Sequence, residues 1–124
     1  MIVGTEWLVD ATGCDGDSLR DLDALRALFG RIMTDLELIA VGEPVWHRFP
    51  SPGGVTGIVL LTESHLACHT FPEYHSLCLN IFCCRPRAEW DFGAYLRREF
   101  AASAVNVRRI ERPYLPPSHE PARG

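Results

Sequence analysis

The sequence predicts an α+β fold, a two-layer sandwich in which helices pack on one face of an antiparallel sheet. The first observation is the order of the segments, because extended apolar segments and helical segments follow one another as strand, helix, several strands, helix, strand. The second observation is size. With 124 residues, 47% of them hydrophobic, the chain is suited to one small globular domain with a single core.

The first half is predicted to contain two strands, a helix between them and a loop. Residues 6–11 form the first strand, and Asp17 or Ser18 caps the helix that follows. Residues 36–41 form the second strand, and the proline- and glycine-rich residues 46–54 form the loop. The apolar residues of the helix recur at helical spacing along one face: Leu19, Leu22, Leu25, Leu28, Phe29 and Ile32.

The second half is predicted to contain three strands, a second helix and a final strand. The extended segments are residues 55–62, 66–71, 77–82 and 105–110. The amphipathic helix is marked by Trp90, Phe92, Tyr95, Leu96 and Phe100. The domain is therefore expected to span residues 1–112, and the proline-rich tail 113–124 is expected to be mobile because it offers almost nothing to bury.

The composition excludes several classes of function. All twelve basic residues are arginine, so no lysine can form an aldimine with pyridoxal phosphate or serve a phosphate-binding loop. The net charge of -4, without a basic stripe, argues against nucleic acid as a partner. Because the sequence shows neither a signal peptide nor an apolar run of the roughly 20 residues that cross a bilayer, we expect a cytoplasmic protein without a membrane partner.

The five cysteines do not predict a disulfide framework or a metal site. Their number is odd and no secretory signal is present, so reduced thiols are expected. Histidines and cysteines are frequent between residues 65 and 84, but the segment lacks both paired Cys-x-x-Cys knuckles and a His-Glu-x-x-His motif. We therefore expect no bound metal.

Residues 62–74 concentrate a serine, two histidines and two carboxylates between apolar strands. Polar side chains in such a place require an explanation. A serine hydrolase is disfavoured because Ser64 lacks the flanking glycines of a nucleophile elbow. In a second interpretation, Ser64 only ends a strand and His65 and His69 only donate to backbone carbonyls. The residue types alone leave this second interpretation open.

Residues 54–74 contain three short motifs in order: Gly54-Val55-Thr56-Gly57, then Glu63-Ser64-His65, then His69-Thr70-Phe71-Pro72-Glu73. They resemble the self-processing core of the prokaryotic S-adenosylmethionine decarboxylases. The pattern of that family is Gly-Val-Ser-Gly, then Glu-Ser-His, then His-Thr-Trp-Pro-Glu. Weaker matches extend the resemblance over about residues 4 to 110, at Gly13-Cys14-Asp15, His47-Arg48-Phe49 and Ile81-Phe82-Cys83-Cys84.

The resemblance implies that the chain is made as an inactive proenzyme. Cleavage between Glu63 and Ser64 would give a β chain, residues 1–63, and an α chain, residues 64–124, with Ser64 converted to a covalently bound pyruvoyl group. The substrate would be a small molecule with an amine. The pyruvoyl carbonyl would be the electrophile that reacts with this amine, a role that pyridoxal phosphate has in other decarboxylases. This cofactor is compatible with a chain that has no lysine.

The resemblance also assigns roles in processing and proton transfer. His69 matches the histidine that moves protons during processing, and Thr56 takes the place of a serine that assists it. Cys84 matches the cysteine that protonates the α-carbon of the substrate after carbon dioxide leaves. Neighbouring strand residues face opposite ways, so only one of Cys83 and Cys84 can point at Ser64, and the match favours Cys84.

The substrate residues implied by the resemblance are aromatic and acidic. Phe49 and Phe71 match rings that border the adenine and the sulfonium, through stacking and cation–π attraction. Glu73 matches an acidic position that could bind a ribose hydroxyl or a cationic group. Short family members assemble at least as dimers with shared active sites, so a homodimer of cleaved protomers is expected, in which Phe49 could serve the Ser64 of the neighbouring chain.

Three departures from the family pattern concern the substrate. Gly4-Thr5-Glu6 stands where the family commonly has Gly-Arg/Lys-His, Asn80 ends a segment that ends in Asp in the family, and Arg85-Pro86 follows Cys84 where the family has glycine. Some relatives decarboxylate L-ornithine or L-arginine, and Glu6 would suit such cationic side chains. S-adenosylmethionine is the favoured substrate, these two amino acids are the alternative, and an unprocessed, non-catalytic partner protein is a second alternative.

Overall fold

Six antiparallel strands form one sheet in the computed structural model, which describes residues 1–117. The spatial order of the strands is β2-β3-β4-β5-β1-β6. Their bounds are β1 Ile2–Thr12, β2 Val45–Arg48, β3 Val55–Leu61, β4 Ser64–Phe71, β5 Ser76–Cys83 and β6 Ala104–Pro113. The helices are α1 Gly16–Arg20, α2 Leu22–Asp35 and α3 Phe92–Phe100, and Pro72–Tyr74 form a 3-10 turn between β4 and β5.

The core lies between the helices and one face of the sheet. Side chains alternate along each strand, so that Trp7, Val9 and Ala11 of β1 are buried while Glu6 and Leu8 remain partly exposed on the other face. The apolar residues of α2 and α3 complete the same hydrophobic cluster. The predicted two-layer α+β sandwich is confirmed, and its second sheet face, which we call the open face, has no helix over it among the described residues.

The predicted first helix is two helices, and the predicted cap was wrong. Asp15 caps α1 by accepting from the Ser18 backbone N–H at 3.3 Å, and Asp21 caps α2 by accepting from the backbone of Asp23 and Ala24. Asp21 has an extended backbone with φ -84° and ψ 104°. An aspartate at such a position satisfies N–H groups that a helix start otherwise leaves unpaired, which is why the chain restarts the helix there.

The segment predicted as a second strand, residues 36–41, is not one. It packs Leu36 and Leu38 into the core and makes only an isolated bridge between Ala40 and Leu61. The strand lies instead at Val45–Arg48, within a segment whose residues from 46 onward were predicted to be loop.

Tertiary packing explains why a strand forms at Val45–Arg48. Trp46 lies opposite Gly57 in the pairing of β2 with β3, and a Cβ at Gly57 would overlap the indole ring. The same indole packs on Phe29 of α2, with ring centroids 4.7 Å apart. The absence of a side chain at Gly57 therefore leaves space for the Trp46 ring, which packs β2 against the core.

The remaining predicted elements are present with shifted ends. The largest differences are at β1, which starts at Ile2 rather than residue 6, and at β6, which continues to Pro113. The tail prediction for residues 113–124 therefore overlaps β6 at Pro113, and residues 118–124 lie outside the described residues. Among residues 1–117, no helix is long and apolar enough to cross a membrane.

Candidate active site

The Glu63–Ser64 bond lies in a tight turn between β3 and β4. Leu61 pairs with Ser64 in the register of these strands, so only Thr62 and Glu63 connect them. Ser64 has a φ of 152°, a backbone region that residues other than glycine rarely adopt. Conformational strain is thus located at the residue whose peptide bond is predicted to break.

The end of β5 places a hydrogen-bond donor on the carbonyl group of this bond. Cys83 pairs with Ser64 in the β4–β5 register, and the next backbone N–H, that of Cys84, donates to the Glu63 carbonyl oxygen at 2.9 Å. A fixed N–H at a carbonyl oxygen stabilises the negative charge that grows there when a nucleophile attacks the carbonyl carbon. The arrangement therefore suits attack on the Glu63 carbonyl.

The two adjacent cysteines lie in different environments. Cys83 is fully buried, and burial together with the nearby Glu63 charge raises the pKa of its thiol to about 11. Cys84 is exposed and lines a cavity of about 230 Å³ together with Gly4, Thr5 and Arg109. Cys84 is thus the thiol of this pair that a small molecule can reach.

The Glu63 side chain is buried in spite of its position in a hairpin turn. Only 9% of it is exposed, and its Oε2 accepts from Arg87 Nη2 at 2.8 Å. Sequence reasoning identified Glu63 but missed Arg87. The available signal was the replacement of the family glycine after Cys84 by Arg85-Pro86, which marks this connector as unusual.

Thr56 and His69 form a second group, on the open face. They lie opposite each other in the β3–β4 register, and Thr56 Oγ1 and His69 Nδ1 are hydrogen-bonded at 3.0 Å, with the donor set by the histidine tautomer. A hydroxyl bonded to one ring nitrogen orients the imidazole and leaves the other nitrogen, Nε2, for proton transfer.

A cavity of about 410 Å³ adjoins this pair. Five residues predicted for processing or substrate binding line it: Phe49, Thr56, His69, Phe71 and Glu73. Its wall includes the loop after β2, which Arg20 holds by donating from Nε to the Pro52 carbonyl at 2.7 Å. Gly54 lies close to β4, since a Cβ there would come within 2.6 Å of the Thr70 carbonyl oxygen.

Within one chain, the predicted processing residues fall into two separate groups. Ser64 and His69 are both on β4, five residues apart, and at about 3.3 Å per residue they are separated by roughly 17 Å along the strand. The structure of one chain therefore groups Ser64 with Glu63 and Cys84, and it groups His69 with Thr56, Phe49, Phe71 and Glu73.

Glu6, predicted to bind a cationic substrate, is engaged elsewhere. Its Oε2 accepts from Asn80 Nδ2 at 2.9 Å, and its Oε1 lies 3.5 Å from Arg112 Nη1. Asn80 Oδ1 is in turn 2.6 Å from His65 Nε2. Glu6 and Asn80 are two of the positions that depart from the family pattern, and the structure brings them into direct contact.

All five cysteines are free. Within residues 1–117, no group of three or more histidine, cysteine, aspartate and glutamate side chains is arranged to hold a metal ion.

Comparison with known proteins identifies one family. The family model described as S-adenosylmethionine decarboxylase matches residues 5–113. An S-adenosylmethionine decarboxylase proenzyme of Pelotomaculum thermopropionicum is 36% identical over 121 residues, covering 94% of this chain and 92% of the relative. The proenzyme of the same name from Moorella thermoacetica is 35% identical over 117 residues, covering 93% and 91% of the two chains.

The fold also resembles a solved structure. The crystal structure of the adenosylmethionine decarboxylase from Aquifex aeolicus superimposes with a TM-score of 0.75, covers 98% of both chains and shares 22% sequence identity.

Proposed function

The chain belongs to the S-adenosylmethionine decarboxylase family, and on that premise we propose that it is a proenzyme that cleaves itself at Glu63–Ser64 and then decarboxylates S-adenosylmethionine. The observation that carries this proposal is the geometry of the bond itself. Ser64 is strained at φ 152°, and the Cys84 N–H donates to the Glu63 carbonyl at 2.9 Å. A hydroxyl, a strained amide and an N–H donor on its carbonyl fit the formation of a pyruvoyl group from serine.

Cleavage begins with a transfer of the acyl group from nitrogen to oxygen. The Ser64 hydroxyl oxygen bonds to the Glu63 carbonyl carbon and the carbon–nitrogen bond breaks, so that an ester replaces the amide. The Cys84 N–H stabilises the oxygen that carries negative charge in this step.

The second part of cleavage is an elimination. A base removes the Cα proton of Ser64, Glu63 leaves as a C-terminal carboxylate, and the remaining enamine takes up water and releases ammonia. We assign the base to His69, whose imidazole ring can accept and return a proton. When formed, the pyruvoyl group provides an electrophilic carbonyl for the substrate amine and withdraws electrons as carbon dioxide leaves.

This chain's own residues then bind the substrate and return a proton. Phe49 and Phe71 are partly exposed and line the 410 Å³ cavity, where we assign them to stacking on adenine and attraction of the sulfonium. Glu73, which lines the same cavity, accepts from the ribose hydroxyls. Cys84 Sγ gives a proton to the substrate α-carbon after decarboxylation.

The site is complete only in a homodimer. His69 cannot cover the roughly 17 Å to Ser64 of its own strand, so a second copy supplies His69, Thr56 and the substrate cavity to each Ser64. The open face suits this contact because it carries exposed Ile58, Leu60 and Ile110, an apolar surface that a second copy of the same sheet would cover.

The contacts of Glu6 remove the carboxylate that the sequence offered to an ornithine or arginine side chain. An ornithine or arginine side chain would require a carboxylate free to pair with its terminal cation. Glu6 already accepts from Asn80 and lies beside Arg112, which neutralises it.

The test is an intact mass spectrum of the purified protein beside its Ser64→Ala variant, followed by carbon dioxide release from S-adenosylmethionine, ornithine and arginine. We expect two fragments that split after Glu63, with the fragment from residue 64 lighter by one ammonia than simple hydrolysis would give. The variant should stay whole. A single uncleaved chain for both proteins would instead support the non-catalytic partner, and release from ornithine or arginine alone would reassign the substrate.

A further inference from the structure

We propose that Arg87 is a positioning residue for self-cleavage, acting through the Glu63 side chain on the bond that breaks. The inference rests on the proposed cleavage at Glu63–Ser64. It concerns the connector of residues 84–91 between β5 and α3, which nothing in the family resemblance assigns to processing.

The Glu63 side chain is buried, and a cation compensates its charge. A carboxylate in a two-residue hairpin turn ordinarily extends into water, yet only 9% of the Glu63 side chain is exposed. Removing a carboxylate from water is costly unless a partner compensates it. The compensating partner here is Arg87, which is itself only 22% exposed and donates to Glu63 Oε2 at 2.8 Å.

The ion pair of Arg87 and Glu63 is not well suited to stabilising the fold. Among the described residues, Glu63 Oε1 and Arg87 Nε are buried without a hydrogen-bond partner. A buried pair with unsatisfied atoms contributes little net stability, since desolvation offsets much of the attraction. We therefore assign the pair a role in the geometry of the turn at Glu63 and not in the stability of the fold.

Glu63 is held in the turn through both its backbone and its side chain. The Glu63 backbone carbonyl is held by the Cys84 N–H at 2.9 Å, and the Glu63 side chain is held by Arg87 at 2.8 Å. Both partners come from the end of β5 and the connector that follows. Rotation of the Glu63–Ser64 peptide plane to relax the φ of 152° would break the Cys84 bond, while Arg87 keeps the Glu63 side chain from moving with that plane.

A matched control lies two residues away. Arg85 carries the same charge on the same connector, but its side chain is 76% exposed and its Nε lies 4.0 Å from Glu63 Oε2. An exposed pair at this distance is screened by water and holds no fixed geometry. Removal of Arg85 therefore tests the loss of one positive charge while the contact of Arg87 with Glu63 is kept.

The experiment measures the rate of self-cleavage of freshly synthesised full-length chain for the wild type and for Arg87→Ala, Arg87→Lys and Arg85→Ala. We expect Arg87→Ala to slow cleavage about tenfold or more, a typical consequence of lost orientation at a reacting group. Arg87→Lys should recover part of the rate, and added guanidinium ion should accelerate Arg87→Ala alone. Arg85→Ala should cleave at close to the wild-type rate.

Controls separate this proposal from a folding defect and from failure of the proposed function. Thermal unfolding of Ser64→Ala with and without Arg87→Ala reports stability without cleavage, and recovery by lysine or guanidinium would not follow from a merely structural role. Wild-type cleavage by both Arg87 variants, or equal slowing by Arg85→Ala, would overturn the inference. If the wild type itself stays whole, the proposed function fails and this inference with it.

Discussion

Cys84 can act at the candidate site through two different groups. Its backbone N–H is bonded to the Glu63 carbonyl, and its thiol is exposed on a cavity beside that bond. In the proposed mechanism the N–H assists cleavage and does not depend on the side chain, whereas the thiol is assigned only to the later protonation of substrate. The two roles can therefore be separated by mutation.

Cys84→Ala is expected to cleave normally and to lose decarboxylation. Because the backbone donor remains, the two fragments should form at a rate close to that of the wild type. Removal of the proton donor should lower kcat by about a hundredfold or more, the usual size of a general-acid contribution. The measurement is carbon dioxide release per mole of pyruvoyl group, beside the rate of fragment formation.

Cys83→Ala is the matched control for that prediction. The Cys83 thiol is buried, so a substrate cannot reach it, and burial raises its pKa to about 11. We expect only a moderate loss of stability from the missing sulfur atom. Equal loss of kcat in the two variants would show that Cys84 is not the specific proton donor.

At the level of single elements, the apolar periodicity located the helices and most strands but not the breaks between them. Leu19, Leu22 and Leu25 continue at a spacing of three across the boundary of α1 and α2, so nothing in this pattern reveals the break. Asp21 makes the break because its side chain caps a new helix. Strand β2 was likewise hidden, since its support is the packing of Trp46 on Gly57 and Phe29.

Asp21 is expected to stabilise α2 through its capping side chain. Asp21→Ala should lower the free energy of unfolding by about 1 kcal/mol, because two backbone N–H groups at the start of α2 lose their acceptor. Asp17→Ala removes only an exposed ion pair with Arg20 and should change stability by less than about 0.5 kcal/mol. Urea unfolding of both variants in the uncleavable Ser64→Ala background makes the comparison, and the reverse order would favour the cap predicted from sequence.

At the scale of the whole molecule, the important feature is a sheet with one face covered by helices and one face open. The open face carries the Thr56–His69 pair and exposed aliphatic residues, including Ile58 and Leu60. A single chain has both groups of predicted processing residues, but Ser64 and His69 lie roughly 17 Å apart along β4. Assembly of two copies is what we expect to bring them together.

Mixed dimers test this assembly directly. Neither His69→Ala nor Ser64→Ala should cleave alone. When the two are co-expressed, the His69→Ala chain keeps its Ser64 and receives His69 from its partner, so this chain should be cleaved. Mass spectrometry distinguishes the two chains by their substitutions. Absence of cleavage in a mixed dimer that has been shown to form would mean that His69 acts within its own chain.

The sequence by itself determined the α+β class, the family and the residues around the bond predicted to break, because these depend on short-range periodicity and on motifs a few residues long. Two features were decided only by the tertiary structure: the contact of Arg87 with Glu63, which are 24 residues apart, and the separation of His69 from Ser64. The physical reason is that strand register and the path of the 84–91 connector depend on packing across the whole sheet. No local pattern of residues encodes which side chains meet there.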